Sequence, residues 1–169
     1  MLGGFWSDGA KDLLPMRLTK QTNYAFRVLM YCGANTGRKS RIPEVARAFS
    51  VSEPFLFKIV QLLSEAGLVQ TTRGRGGGIT LGRPADEITL LDVVRVTEDG
   101  FVMAECFDGG AADCPLIDHC ALNSALRRAL GAFMDVLDDM TIGDLVRSRP
   151  ELGTLIGLTE EPLSLPVAN

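Results

Sequence analysis

The sequence predicts a mainly α-helical fold with a small β-hairpin wing: a winged helix-turn-helix domain followed by a long dimerisation helix. Three observations predict it. Two short amphipathic segments lie within 42–65, a glycine-rich basic hairpin occupies 68–81, and an unbroken apolar stripe runs along 121–140.

Taken in order, residues 1–15 carry Gly3, Gly4, Gly9 and Pro15, which break any regular element, so this stretch reads as a disordered extension or an upstream start ahead of Met16. A helix is expected from about Thr22 to Ala34, with Tyr24, Val28, Tyr31 and Cys32 in its apolar pattern. Cys32 reads there as a small buried residue. Next, Ile42, Val45, Ala46 and Phe49 follow the spacing i, i+3, i+4, i+7, with Pro43 near the helix start. Ser50 and Val51 form a tight connection, and Ser52 stands where it can cap a second helix that opens with Glu53 and Pro54. Leu56, Ile59, Val60 and Leu63 make its inward stripe; Phe57, Lys58, Gln61, Ser64 and Glu65 face outward. Such a pair of helices is a helix-turn-helix, whose second member enters the DNA major groove. Phe57 has two readings on that face: packing on a neighbouring helix, which is preferred, or contact with a thymine methyl.

Gly67 ends the second helix, and two strand-like runs, 68–72 and 79–81, flank Arg73-Gly74-Arg75-Gly76-Gly77-Gly78. Glycine allows close approach to a backbone or groove floor, and arginine suits the negative potential of a narrow minor groove, so this tip reads as a DNA-binding wing. A nucleotide loop of Walker type needs Gly-Lys-Ser/Thr followed by a helix, whereas here a strand follows. Past Pro84, Ile88, Leu91, Val93, Val94 and Val96 predict a helix to about Glu98. The long helix from Ala121 to Met140 then carries Leu122, Leu126, Leu130, Phe133, Val136 and Leu137. Its expected partner is the same helix of a second subunit, which would space two recognition helices over two half-sites of double-stranded operator DNA.

The resulting organisation is a winged helix-turn-helix domain at 16–84, a connecting helix and cysteine loop at 85–120, a dimerisation helix and docking segment at 121–147, and a flexible tail at 148–169. Charge divides along the same line. The 16–84 segment holds eleven Lys and Arg against three Glu, or +8, while 85–169 holds five against sixteen acidic residues, or −11. The basic half suits a polyanion and the acidic half resists wrapping by one. No apolar run approaches the roughly 20 residues of a membrane helix, and no secretory signal opens the chain, so a cytoplasmic protein without a membrane partner is expected. No nucleophile and base stand paired, and the lone His119 lies among the cysteines, which speaks against an enzyme.

Cys106, Cys114 and Cys120 fall in a 15-residue stretch, with seven and five residues between them. In a reducing compartment such cysteines read as metal-binding or catalytic groups rather than disulfides. Their thiolates are soft donors that select iron-sulfur clusters, zinc or copper(I). A structural zinc site prefers four protein ligands, which would require His119 to join its neighbour Cys120. Three thiolates with an exchangeable fourth ligand fit an iron-sulfur cluster best, and such an open iron is where iron loss, oxygen or nitric oxide would act. A zinc-stabilised DNA-binding protein stays open as a distant alternative.

Met16-Arg17-Leu18-Thr19, Tyr24-Ala25, Gly67-Leu68-Val69, Arg73-Gly74-x-x-Gly77-Gly78, Leu81-Gly82 and three cysteines before a long helix together resemble the IscR, NsrR and RirA type of winged-helix regulators, the Rrf2 family. The resemblance runs from Met16 to about Val146. Asn23-Tyr24-Ala25, Arg41-Ile42-Pro43-Glu44, Phe55-Leu56-Phe57-Lys58-Ile59, the segment 92–99, Met103-Ala104-Glu105-Cys106-Phe107 and Cys120-x-Leu122-Asn123 look most like the rhizobial iron regulators of the RirA type. It implies a homodimeric transcription factor with one iron-sulfur cluster per subunit, four-iron four-sulfur, held by Cys106, Cys114 and Cys120. It also implies repression of iron-uptake genes when iron is plentiful, with a nitric oxide or redox sensor as the alternative. IscR-like members place a histidine where this chain has Asn123, and NsrR-like members an aspartate where it has Asn23, so the fourth ligand falls among Asn23, Asn123, His119, solvent and a small thiol. Expected DNA contacts are Arg17 and Lys20 near the first helix, Ser52, Lys58 and Gln61 on the recognition helix, and Arg73 and Arg75 in the wing.

Overall fold

The computed structural model describes residues 17–101, 104–107, 114–116, 120–149 and 151–158. The first helix, α1 (Lys20–Ala34), starts where the Thr19 side chain accepts from the backbone N–H of Thr22. Ala25, Val28 and Leu29 are fully buried on it. The other elements assemble around α1: it touches the recognition helix, the second wing strand and three later helices.

The helix-turn-helix is formed by α2 (Ile42–Ala48) and α3 (Glu53–Glu65). Ser50 closes the turn at φ 51, a left-handed conformation uncommon for a residue with a side chain. Ser52 occupies the N-cap of α3, but its side chain makes no capping hydrogen bond. Leu56, Ile59, Val60 and Leu63 are buried as the spacing requires, and they carry α3 onto α1.

Strands β1 (Val69–Thr72) and β2 (Gly78–Leu81) pair antiparallel, Val69 opposite Leu81 and Thr72 opposite Gly78. The wing is fastened at its base. Ser40 N–H donates to the Ile79 carbonyl at 2.9 Å and Ile79 N–H to the Ser40 carbonyl at 2.8 Å. Gly78 permits that approach, since a Cβ there would lie 2.6 Å from the Ser40 carbonyl oxygen.

After a 3-10 turn at Ala85–Glu87, α4 (Leu90–Thr97) opens with a reciprocal capping box between Thr89 and Asp92. Its far end returns to α1: the Glu98 carboxylate accepts from the Thr19 backbone N–H at 2.7 Å and from the Thr22 hydroxyl. A second 3-10 turn holds Glu105–Phe107, and the long helix α5 (Ala121–Asp138) follows. None of its residues is buried, and it rests on α4, with Phe133 meeting Phe101 edge to face at 5.6 Å. Helix α6 (Ile142–Arg147) returns to α1, joined to the start of α4 by backbone bonds from Leu90 to Met140 and from Ile142 to Ile88.

A flexible tail was expected from 148 onward, and residues 151–158 depart from that expectation. Leu152–Leu155 form a short helix, α7, and Ile156 is buried in the core beside α1. An apolar residue at 156 offers enough burial to order a turn that its neighbouring Pro and Gly residues conceal. The extension at 1–15 and the last residues, 159–169, lie outside the described residues.

Cys32 is buried in the core, and burial pushes its thiol up to about 11. The neutral thiol is thus the form that the fold holds. Its contribution to stability is complete below the ordinary thiol range and is lost as pH rises toward 11. Iodoacetamide at about pH 8 is therefore expected to spare Cys32 in the native apoprotein while alkylating Cys106, Cys114 and Cys120, and to reach all four after unfolding. Peptide mass spectrometry reads the outcome; native labelling of Cys32 as fast as the others would contradict this core.

Candidate functional site

Helix α3 and the wing enclose a groove of about 1060 Å³. Lys58 and Gln61 enter it from α3, Arg73 and Arg75 from the tip of the wing, and Arg41 from the start of α2. The two strands position the arginines. The tip turns on Gly74 (φ 88) and Gly76 (φ 84), which adopt the left-handed conformation without strain, and Gly77 N–H donates to the Gly74 carbonyl at 2.9 Å. Gln61 is oriented by its own helix, donating an amide N–H to Glu65 at 2.9 Å.

Four of the expected DNA contacts thus share one concavity: Lys58, Gln61, Arg73 and Arg75. Ser52 is exposed but lines a separate shallow hollow with Arg47 and Glu53. Arg17 is exposed just ahead of α1. The Lys20 ammonium sits 5.3 Å from the Phe55 ring centre, which places it beside the first turn of α3. Arg41 was not among the expected contacts. Its position at the N-cap of α2, in the Arg41-Ile42-Pro43-Glu44 motif, was the available signal, because helix starts commonly face phosphates. Phe57, for which packing on a neighbouring helix was the preferred reading, stands 56% exposed in the same groove.

The cysteines form the second element of the site. Cys106, Cys114 and Cys120 are half-buried and unbridged. Cys120 is the N-cap of α5, its sulfur accepting from the Asn123 backbone N–H at 3.4 Å. The Asn123 side-chain amide donates to the Cys106 sulfur at 2.9 Å, and its carbonyl oxygen accepts from Arg127 Nε at 2.7 Å. Arg127 in turn stacks 4.7 Å from the Phe107 ring centre. One asparagine therefore joins two of the three cysteines at the head of the long helix. Asn23 behaves differently, donating its amide to the Thr19 carbonyl at 3.0 Å. Among the described residues, no three His, Cys, Asp or Glu side chains are gathered closely enough to hold a metal ion, and His119 lies outside the described residues.

Comparison with known proteins accords with this architecture. The family described as "Rrf2: Iron-dependent Transcriptional regulator" matches residues 18–148. Protein aau3 of Rhizobium meliloti (strain 1021) is 66% identical over 148 residues, 88% of this chain and 96% of that protein. The HTH-type transcriptional regulator NsrR of Bacillus subtilis (strain 168) is 40% identical over 146 residues, 86% of this chain and all of that protein. Among solved structures, that of CymR, the global cysteine regulator of B. subtilis, is similar with a TM-score of 0.62 at 26% identity, over 79% of this chain and 98% of that one. No described helix is long and apolar enough to cross a membrane. The family match spans every element from α1 to α6, and the chain therefore belongs to the Rrf2 family of winged-helix, DNA-binding transcriptional regulators and is not an enzyme.

Proposed function

We propose that this regulator is an iron-responsive repressor of the RirA type: a cytoplasmic homodimer that holds operator DNA and silences iron-uptake genes when iron is plentiful, and that senses iron through a four-iron four-sulfur cluster in each subunit. The observation that carries the reading is the bridge from Cys106 through Asn123 to Cys120. It gathers two soft donors at the first turn of α5, and α5 rests on α4, whose end is tied by Glu98 to the start of α1.

The donor set fits such a group. Three unbridged, half-buried thiols are soft, accessible ligands, and Cys106, Cys114 and Cys120 would hold it. The cluster would supply the signal, present when iron and sulfide are plentiful and lost when they are not. Asn123 gives its N–H to Cys106 and its oxygen to Arg127, which favours a role in supporting the cysteine ligands over service as the fourth ligand. Solvent, a small thiol or His119 would complete the set.

The apolar stripe of α5 supports the dimer: Leu122 is 65% and Val136 58% exposed, and a second copy of the helix would cover them. A nitric oxide or redox signal acting on the same cysteines is the second reading, favoured by their partial exposure.

Protein purified without oxygen is expected to contain about four iron and about four sulfide per chain. Zinc without sulfide would make the cysteine segment a structural staple and end the sensing proposal. Cys106→Ser, Cys114→Ser and Cys120→Ser are each expected to weaken operator binding roughly a hundredfold, equivalent to ~3 kcal/mol of coupling between cluster and DNA. Operator affinity unchanged from wild type in these variants would exclude that coupling. Cluster decay followed under an iron chelator, oxygen and nitric oxide separates the two signals, with the chelator alone sufficient in the iron reading.

Phosphate contacts by the wing predict a salt signature. The slope of log affinity against log salt is expected to flatten by about 0.9 for each phosphate contact removed, as in Arg75→Ala, whereas Arg73→Ala is expected to erode sequence preference as well. A salt-independent wild-type affinity would contradict the whole assignment.

A further inference from the structure

We infer that Phe57 is a sequence-reading residue, whose ring seats against the C5-methyl group of a thymine in the major groove; the inference rests on the DNA-binding reading above and specifies its base preference. Helix α3 satisfies the core without Phe57. Leu56, Ile59, Val60 and Leu63 are buried, while Phe57 points the other way and leaves 56% of its surface exposed.

The other aromatic side chains near it find partners. Phe55 meets Tyr24 edge to face at 5.4 Å, and Phe49 meets Tyr31 at 6.2 Å, yet among the described residues no ring or cation stacks on Phe57. Its surroundings specify the partner. Phe57 lies in the groove with Arg41, Lys58, Gln61, Arg73 and Arg75, where four cations outnumber the one carboxylate, Glu65, around a single aromatic ring. An apolar peptide or lipid chain would leave those cations unanswered, whereas a duplex supplies phosphates for them. Within the major groove, base edges present mainly hydrogen-bonding groups, and the thymine methyl is the bulkiest apolar group among them. An aromatic ring one helical turn ahead of Gln61 therefore gains most contact from a thymine methyl. It also disfavours cytosine at that position, since cytosine presents only C5–H where thymine carries the methyl.

The test begins with an operator selected from a random duplex pool by the purified full-length protein. Each thymine is then replaced by deoxyuridine, which removes the methyl and leaves the pairing intact. At one thymine per half-site, wild type is expected to lose roughly fourfold in affinity, the equivalent of ~0.8 kcal/mol for one methyl, and roughly fifteenfold when both half-sites are substituted. Phe57→Ala should bind the thymine and uracil operators equally and keep the wild-type salt slope, because the ring touches no phosphate. Phe57→Leu, which keeps an apolar contact, should retain part of the methyl preference. Uniform tolerance of deoxyuridine by wild type, or an undiminished penalty in Phe57→Ala, overturns the inference while leaving DNA binding intact. A pool that yields no bound duplex overturns the DNA-binding reading and this inference together.

Discussion

The burial of α1 is the constraint on which the remaining structure depends. Ala25, Val28 and Leu29 have no exposure, and α3, β2, α4, α6 and α7 all lie against this helix. The reading helix and the connecting helix are thereby set on one support, and α4 also touches α3 directly. Close-packed interiors transmit displacement because they contain little free volume. A restraint applied beyond the end of α4 thus has a short, packed route to α3. Glu98 marks that route, since its carboxylate links the end of α4 to the first turn of α1.

The groove owes its shape to a backbone junction and its charge to composition. Two hydrogen bonds between Ser40 and Ile79 hold the wing to the segment that precedes α2, so Arg73 and Arg75 keep a fixed relation to Lys58 and Gln61. Ser40 is itself buried, its hydroxyl accepting from the Asn35 side-chain amide at 2.9 Å. The +8 charge of residues 16–84 supplies long-range attraction for a polyanion, and the −11 charge of residues 85–169 keeps that attraction on one part of the molecule.

Much of this was legible in the sequence wherever a periodic pattern met a local signal. The i, i+3, i+4, i+7 spacing at 42–49, the inward stripe of α3 and the glycines of the wing each stated both an element and its boundary. Signals that depend on distant partners were not legible. Nothing in the order of residues shows that Asn123 would reach back 17 positions to Cys106, that Glu98 would cap α1, or that Ile156 would join the core. Phe57 illustrates the same limit. Its place on the outward face of α3 was legible, but its 56% exposure is seen only in the assembled structure.

The placement of the cysteines also follows from loop physics. Closing a segment costs conformational entropy that grows only with the logarithm of its length, so a restraint spanning 106–120 is cheap compared with one joining distant parts of the chain. A link between Cys106 and Cys120 acts on the N-terminal turn of α5, where Cys120 already serves as cap. Helix α5 buries none of its own residues and meets the rest of the chain through α4 and through Leu137, which packs against the core. A ligand set at its N-terminus and a second copy along its exposed stripe would be the two influences that fix it. On the proposed reading both would act on the same helix, so a cluster and a dimer interface would determine together how far apart two grooves stand.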